Sequence, residues 1–154
     1  MKPLASKVKY FEDWEVGEEF ETGSRTITET DIVTFAGLSG DFNPLHVNEE
    51  FAKTSVFGTR VAHGFLSHSI SIGLINQTGY WDGSVMAQLG HNNITFTTGV
   101  IPGDTIRVKC KVTGLRETKK ADRGTITFQA TIVNQRDEVV GESERILMLK
   151  RKPK

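Results

Sequence analysis

The sequence predicts an α+β domain in which a curled antiparallel sheet wraps one long helix. Three observations carry this expectation. Residues 64–77 place Phe65, Leu66, Ile70, Ile72, Leu74 and Ile75 around nearly the whole helical circumference, with Ser67, Ser69, Ser71 and Gly73 between them. A helix that is apolar or small on every side is built to be buried. The second half of the chain alternates polar and β-branched residues with period two over 86–98, 105–118, 125–135 and 139–149, the pattern of strands. Gly103-Asp104, Asp122-Arg123-Gly124 and Arg136-Asp137-Glu138 punctuate these runs as turns, and short connections favour antiparallel neighbours. Helices first and strands second is the α+β order.

The elements follow in sequence. Residues 7–22 read as an arm or loop with a short strand, in which Phe11, Trp14, Val16 and Phe20 can pack and Gly17 marks a turn. Residues 25–28 read as a second short strand. Thr28 then caps a helix, and Asp31 three residues on completes a capping box with a shorter side chain than the usual Glu. The apolar set of that helix is Ile32, Val33, Phe35, Ala36 and Leu38, and Gly37 and Gly40 are expected to end it. Residues 49–53 supply one or two helical turns before the buried helix.

A length of 154 residues suits one domain over 1–154, able to bury about two thirds of its extended surface without a disulfide or metal. Nineteen basic side chains against nineteen acidic give a formal charge of zero. A chain that grips a nucleic-acid backbone shows a strong basic bias, so no nucleic-acid partner is expected. No apolar run has the length of a leader or a spanning helix, so the expectation is a soluble, cytoplasmic protein without membrane contact. The single cysteine, Cys110, shares parity with Ile106, Val108 and Val112 and is expected to be buried. Lys109, Lys111, Arg116, Lys119, Lys120 and Arg123 form either a solvated sheet face with a hairpin loop or a surface for a phosphorylated carrier. Lys150, Arg151, Lys152 and Lys154 could contact phosphate or fray.

The chemistry concentrates in Phe35-Ala36-Gly37-Leu38-Ser39-Gly40-Asp41-Phe42-Asn43-Pro44-Leu45-His46. Gly40 and Asn43-Pro44 hold the backbone off-helix, so Asp41 and His46 can meet on one cavity. A histidine donates and accepts near neutral pH, a carboxylate can activate water, and Asn43 supplies a donor and an acceptor. The competing reading makes Asp41 an Asx-turn cap and His46 a satisfied interior ring. A second constellation, Ala62-His63-Gly64-Phe65, opens the buried helix, where unpaired amide hydrogens favour developing negative charge and a glycine lets a ligand approach the backbone. The alternative there is a glycine required by crowding against the sheet. His91-Asn92-Asn93 could line a pocket or make a turn or bulge. The four histidines lack the ligand spacing of a standard zinc motif, so no metal site is expected.

The first motif, followed by Phe57-Gly58-Thr59-Arg60-Val61-Ala62-His63-Gly64-Phe65-Leu66 and accompanied by Val16-Gly17 and Ile101-Pro102-Gly103-Asp104-Thr105, resembles the MaoC-like family of R-specific enoyl-CoA hydratases and 3-hydroxyacyl thioester dehydratases. The resemblance implies a hot-dog fold, a homodimer or higher homo-oligomer with the site near the subunit interface, and no cofactor. It implies an acyl-CoA or acyl-carrier-protein thioester as substrate. Asp41 and His46 become the pair that activates water, Asn43 helps orient it, and the Gly64 amide binds the thioester oxygen. Ala62, His63, Phe65, Tyr80, Trp81, His91 and Asn92 become candidate substrate-binding residues. Bulky Tyr80 and Trp81 suggest a short or medium acyl chain, while His91 and Asn92 suggest a polar or branched one. The alternatives are a dehydratase of fatty acid synthesis acting on acyl-carrier-protein thioesters, a hot-dog acyl-CoA thioesterase, and a non-catalytic acyl-binding or partner subunit.

Overall fold

A computed structural model describes residues 7–153. Lys154 lies outside the described residues. The element order is β1 (Glu19–Glu21), β2 (Arg25–Thr26), α1 (Glu29–Ser39), α2 (Pro44–Val47), α3 (Glu49–Ala52), α4 (Gly64–Asn76), β3 (Val85–Asn92), β4 (Thr105–Glu117), β5 (Arg123–Val133) and β6 (Val139–Lys150), after a single 3-10 turn at Phe11–Asp13. The sheet runs β1-β4-β5-β6-β3, antiparallel throughout, with β2 also paired to β4.

The alternation in the long strands sets the inner face. Ile106, Val108, Cys110 and Val112 of β4, Ile126, Phe128, Ala130 and Ile132 of β5, and Leu147 and Leu149 of β6 are buried. They form one core with Leu66, Ile70, Leu74 and Ile75 of α4. Each such side chain contributes about 1.5–3 kcal/mol on leaving water, so the sheet curls to cover the helix. The cover is incomplete: Phe65, Ser69 and Asn76 of α4 stay exposed and Ile72 and Gly73 are half-buried.

Local chemistry explains α1. The Thr28 hydroxyl accepts from Asp31 N–H at 3.3 Å, and Asp31 accepts from Thr28 N–H at 2.8 Å, a complete capping box. Gly40, at φ +77°, closes the helix in the left-handed conformation that favours glycine. Gly37 lies inside the helix and does not end it. Only Ile32 and Ala36 of the apolar set are buried; Val33 and Leu38 face solvent, as does Val16 in the arm.

Two strand expectations move. β3 stops at Asn92, because Asn93 turns to φ +51°. The chain from 93 to 98 then follows β6 irregularly, with Thr95 N–H on Glu142 O and Thr97 N–H on Val140 O. Arg123 and Gly124 belong to β5, and the turn before them ends at Asp122. Many of the basic side chains are paired: Lys109 with Asp137, Lys111 with Glu19, Arg123 with Asp122, Arg151 with Glu117 and Lys152 with Asp13. These pairs tie the tail to the body through residue 152.

Candidate active site

The turn between α1 and α2 is built by its own side chains. Asp41 Oδ1 accepts the Asn43 N–H at 3.2 Å, and Asn43 Oδ1 accepts the Leu45 N–H at 3.0 Å, capping α2 with Pro44 in its first turn. The Asx turn expected of Asp41 is present, and it occupies one of the two carboxylate oxygens. Oδ1 makes the Asx turn; Oδ2 lies 4.0 Å from Nε2 of His46 and 4.0 Å from Nε2 of His63. The Asn43 side-chain oxygen accepts the capping bond of α2.

His46 is fixed by Val61. Its Nδ1 lies 2.6 Å from the Val61 carbonyl oxygen, which only accepts, so Nδ1 carries the proton and a neutral ring presents a bare Nε2. His63 donates from Nε2 to the Asp41 carbonyl at 2.9 Å. Its ring stacks on His46 with centroids 3.7 Å apart and is backed by Phe35 at 5.1 Å. His63 thus holds both the Asp41 backbone and the His46 ring.

His46 borders a cavity of about 270 Å³ that also reaches Ala62, Gly64, Ser67 and His68. Its far wall comes from 96–100 and Val140. The Ala62 N–H is engaged with Val100 O at 2.7 Å. The Gly64 N–H, in the first turn of α4, meets no acceptor among the described residues and sits at the positive end of the helix. His68 is buried one turn deeper and donates from Nε2 to Thr95 O at 3.1 Å. Burial pushes its basicity down and the Arg145 charge adds to this, opposed by the Thr95 bond. His91 is likewise depressed, first by burial, then by Arg145 and His68.

Asp41, His46 and His63 thus come together, while His46, Ala62 and Gly64 border the cavity, which Asp41 and His63 do not line. Phe65 points outward, edge-on to Phe96 at 5.3 Å. Tyr80 and Trp81 do not line the cavity. They follow the far end of α4, where Trp81 stacks on Trp14 and Phe128 and Tyr80 meets Trp14 and Phe20 edge-on. Their bulk fills core, and their size gives no measure of an acyl pocket. His91 sits behind His68, ring centroids 5.7 Å apart, and Asn92 is on the surface with Glu144. Sequence reasoning missed Phe96, Gly99 and Val100, because 86–98 reads as uninterrupted strand. It also missed Arg145, although a charge at the core parity of Leu147 and Leu149 is a visible signal.

Donor atoms of Asp41, His46 and His63 lie within 4.8 Å of one another, close enough to consider a metal ion. His63 Nε2 is protonated by its bond to Asp41 O, which leaves two available ligands, fewer than zinc sites use. The arrangement suits a water molecule better: two acceptors 4.0 Å apart, a bare imidazole nitrogen and a carboxylate oxygen.

Residues 12–134 match the MaoC like domain. The chain is 38% identical over 140 residues to an (R)-specific enoyl-CoA hydratase of Rhodospirillum rubrum, covering 91% of each protein. It is 41% identical over 116 residues to Protein MaoC of Klebsiella aerogenes, covering 74% of this chain but only 34% of that longer protein. A double hot-dog protein of Mycobacterium tuberculosis superposes with a TM-score of 0.83 at 22% identity, covering 97% of this chain and 46% of that one, which supports the fold alone. The chain belongs to the MaoC-like family of hydro-lyases and carries its hot-dog fold.

Proposed function

We propose that the protein catalyses the reversible hydration of trans-2-enoyl-CoA to (R)-3-hydroxyacyl-CoA. The observation that carries this reading is the approach of Asp41 Oδ2 to the bare Nε2 of His46 at 4.0 Å, where His46 borders a cavity also lined by Gly64, whose N–H meets no acceptor among the described residues. A water oxygen about 2.8 Å from each acceptor fits between them. Its two hydrogens then point to Asp41 and His46, and its lone pair faces the β-carbon. The water oxygen bonds to C3, the C2=C3 π electrons move toward the thioester, and the Gly64 N–H takes the charge that develops on the carbonyl oxygen. The proton removed from water returns to C2, so one water adds in full. Asp41 activates the water, and His46 orients it and shares the proton transfer.

A cavity of about 270 Å³ supports a short acyl group. The assembly is a homodimer in this reading: among the described residues β3 ends the sheet with an unpaired edge and carries exposed Met86 and Leu89. A solution mass of twice 17.1 kDa would be expected.

Crotonyl-CoA tests the reaction, followed by loss of enoyl-thioester absorbance with chiral analysis and a free-thiol assay. (R)-3-hydroxybutyryl-CoA without thiol release is the expected result. Thiol release would replace hydration with thioester hydrolysis, and inactivity on crotonyl-, longer enoyl- and carrier-protein thioesters would refute catalysis.

A further inference from the structure

Ser67 departs from the other serines of α4. Ser69 Oγ donates to Phe65 O at 2.7 Å and Ser71 Oγ to His68 O at 2.6 Å, the bond to the preceding turn that satisfies a helical serine. Ser67 makes no such bond, and its hydroxyl meets no partner among the described residues. The His63 carbonyl, which a back-bond from Ser67 would use, already accepts from the Leu66 and Ser67 N–H at 3.0 and 3.4 Å. Ser67 is 3% exposed, yet its Oγ is not among the side-chain atoms sealed off without a partner. The residue lines the cavity beside His46 and Gly64, so the little surface that the hydroxyl keeps opens there. A hydroxyl carries one donor and two acceptor lone pairs, and this one has nothing in the fold to use them on.

Its position points to one ligand atom. Gly64 and Ser67 are three residues apart on α4, so they face the same side. Helical side chains lean toward the N-terminus, which tips the Ser67 hydroxyl back toward the Gly64 N–H. Groups at this spacing stand about 5–6 Å apart, and a single oxygen about 2.8–2.9 Å from each of two donors bridges that gap. No cap competes for the Gly64 N–H, because His63 makes no side-chain cap bond. Resting on the enoyl-thioester reading above, we propose that Ser67 is a second donor to the thioester oxygen: its hydroxyl and the Gly64 N–H converge on that atom and form a two-donor oxyanion site. The hydroxyl keeps its proton throughout. As water adds to C3 and the π electrons move toward the carbonyl, negative charge grows on the oxygen and both hydrogen bonds strengthen. When C2 takes its proton the carbonyl reforms and they relax. Ser67 therefore acts more on the transition state than on the bound thioester.

The test compares wild type with Ser67→Ala and Ser67→Cys through two readouts. Turnover is measured with crotonyl-CoA. The contact is measured with saturated, unreactive butyryl-CoA, isotopically labelled at the carbonyl carbon, whose stretching band is read on the bound protein by difference infrared spectroscopy; each donor on the oxygen moves that band to lower frequency. Alanine removes no hydrogen bond within the protein and is the best helix former, so Ser67→Ala is expected to melt near the wild-type temperature. It is expected to lose about tenfold or more in kcat, to bind butyryl-CoA within about threefold of wild type, and to raise the carbonyl band. A thiol donates weakly, so Ser67→Cys should raise the band as well, and it decides the matter if alanine does not fold. An unchanged band would overturn the inference whatever happens to kcat, since the hydroxyl then serves a water or the packing of α4; hydration of crotonyl-CoA by wild type would leave the hydratase reading standing beside that result. A raised band in the variants with no hydration of any enoyl thioester by wild type would overturn the hydratase reading and uphold the contact.

Discussion

Replacing Gly64 by alanine separates the two reasons for a glycine at the head of α4. A methyl group there would overlap Cδ1 and Cε1 of Phe96 and lie 3.1 Å from its Cγ. Carbon atoms in contact settle near 3.5–4.0 Å, so the ring must retreat by about 1 Å or more. Phe96 is 55% exposed and held by edge contacts to Phe65 and His68 at 5.3 Å each, so this retreat is cheap. Alanine is also the better helix former by up to about 1 kcal/mol. Fold stability should therefore change by no more than about 1 kcal/mol, a shift of a few degrees in Tm for a chain of this size.

Catalysis should not escape as lightly. The methyl stands beside the N–H that, in the proposed reaction, receives the thioester oxygen, and loss of one such donor costs roughly 10²–10³-fold in kcat. The assay is crotonyl-CoA hydration by Gly64→Ala, Phe96→Ala and the double variant, with thermal melts alongside. Gly64→Ala is expected to melt near the wild-type temperature and lose about 10²-fold or more in kcat/KM. The double variant removes the overlap yet keeps the methyl, so it should stay impaired. Recovery in the double variant would show that the displaced ring was the cause and would refute the oxyanion role of Gly64. Activity of Gly64→Ala within threefold of wild type would refute the reasoning altogether.

Other perturbations follow from the same geometry. Asp41→Ala and His46→Ala should each lower kcat by about 10²-fold or more while moving acyl-CoA affinity little; near-parental kcat in either variant would remove that residue from the mechanism. The folded-state pKa values of His68 and His91 are depressed, so the unfolded chain binds their protons first as pH falls. Stability is then full above about pH 6.5 and declines below it by up to about 1.4 kcal/mol per pH unit per histidine. Thermal melts between pH 7.5 and 5 should show this decline and His91→Phe should flatten it; a pH-independent Tm in the wild type would contradict the burial argument. Cys110, buried with its thiol pushed up to about 12, should be only about one part in ten thousand thiolate at pH 8. It should resist iodoacetamide until urea unfolds the chain, and rapid labelling of native protein would show that the core at β4 opens.

What was legible in the sequence were the features governed by local or periodic rules. The capping box of Thr28 and Asp31, the reversal at Gly40 and the parity of Cys110 depend on near neighbours and a two-residue period, and the structure places all three as expected. The break after Asn92 was hidden because its cause is a left-handed residue, Asn93, within an otherwise alternating run. Tyr80 and Trp81 were misplaced for a different reason. Bulk after the central helix carries no direction, and the arm at 7–14 brings Trp14 against both rings. His63 looked like a ligand-binding side chain because it precedes Gly64, whereas its contacts are with Asp41 O and the His46 ring. Contacts 17 and 22 residues apart are set by how the turns close, and no local pattern reports them.

The site follows from the requirement to bury α4. A helix apolar on most of its faces must be wrapped, and wrapping draws its N-terminus, with donors that no preceding turn can satisfy, into the molecule. In most helices a Ser, Thr, Asp or Asn side chain at the preceding position would take one of those donors. Here that position is His63, which makes no side-chain cap and turns its ring back to hold Asp41 and His46. One residue thus leaves the helix end uncapped and holds the Asp41 backbone and the His46 ring. The cost is a helix start that is less stable than it could be, by about 0.5–2 kcal/mol on the scale of capping substitutions. In the proposed reaction the return is a donor already oriented where charge develops, so that little reorganisation is needed when the thioester oxygen becomes anionic.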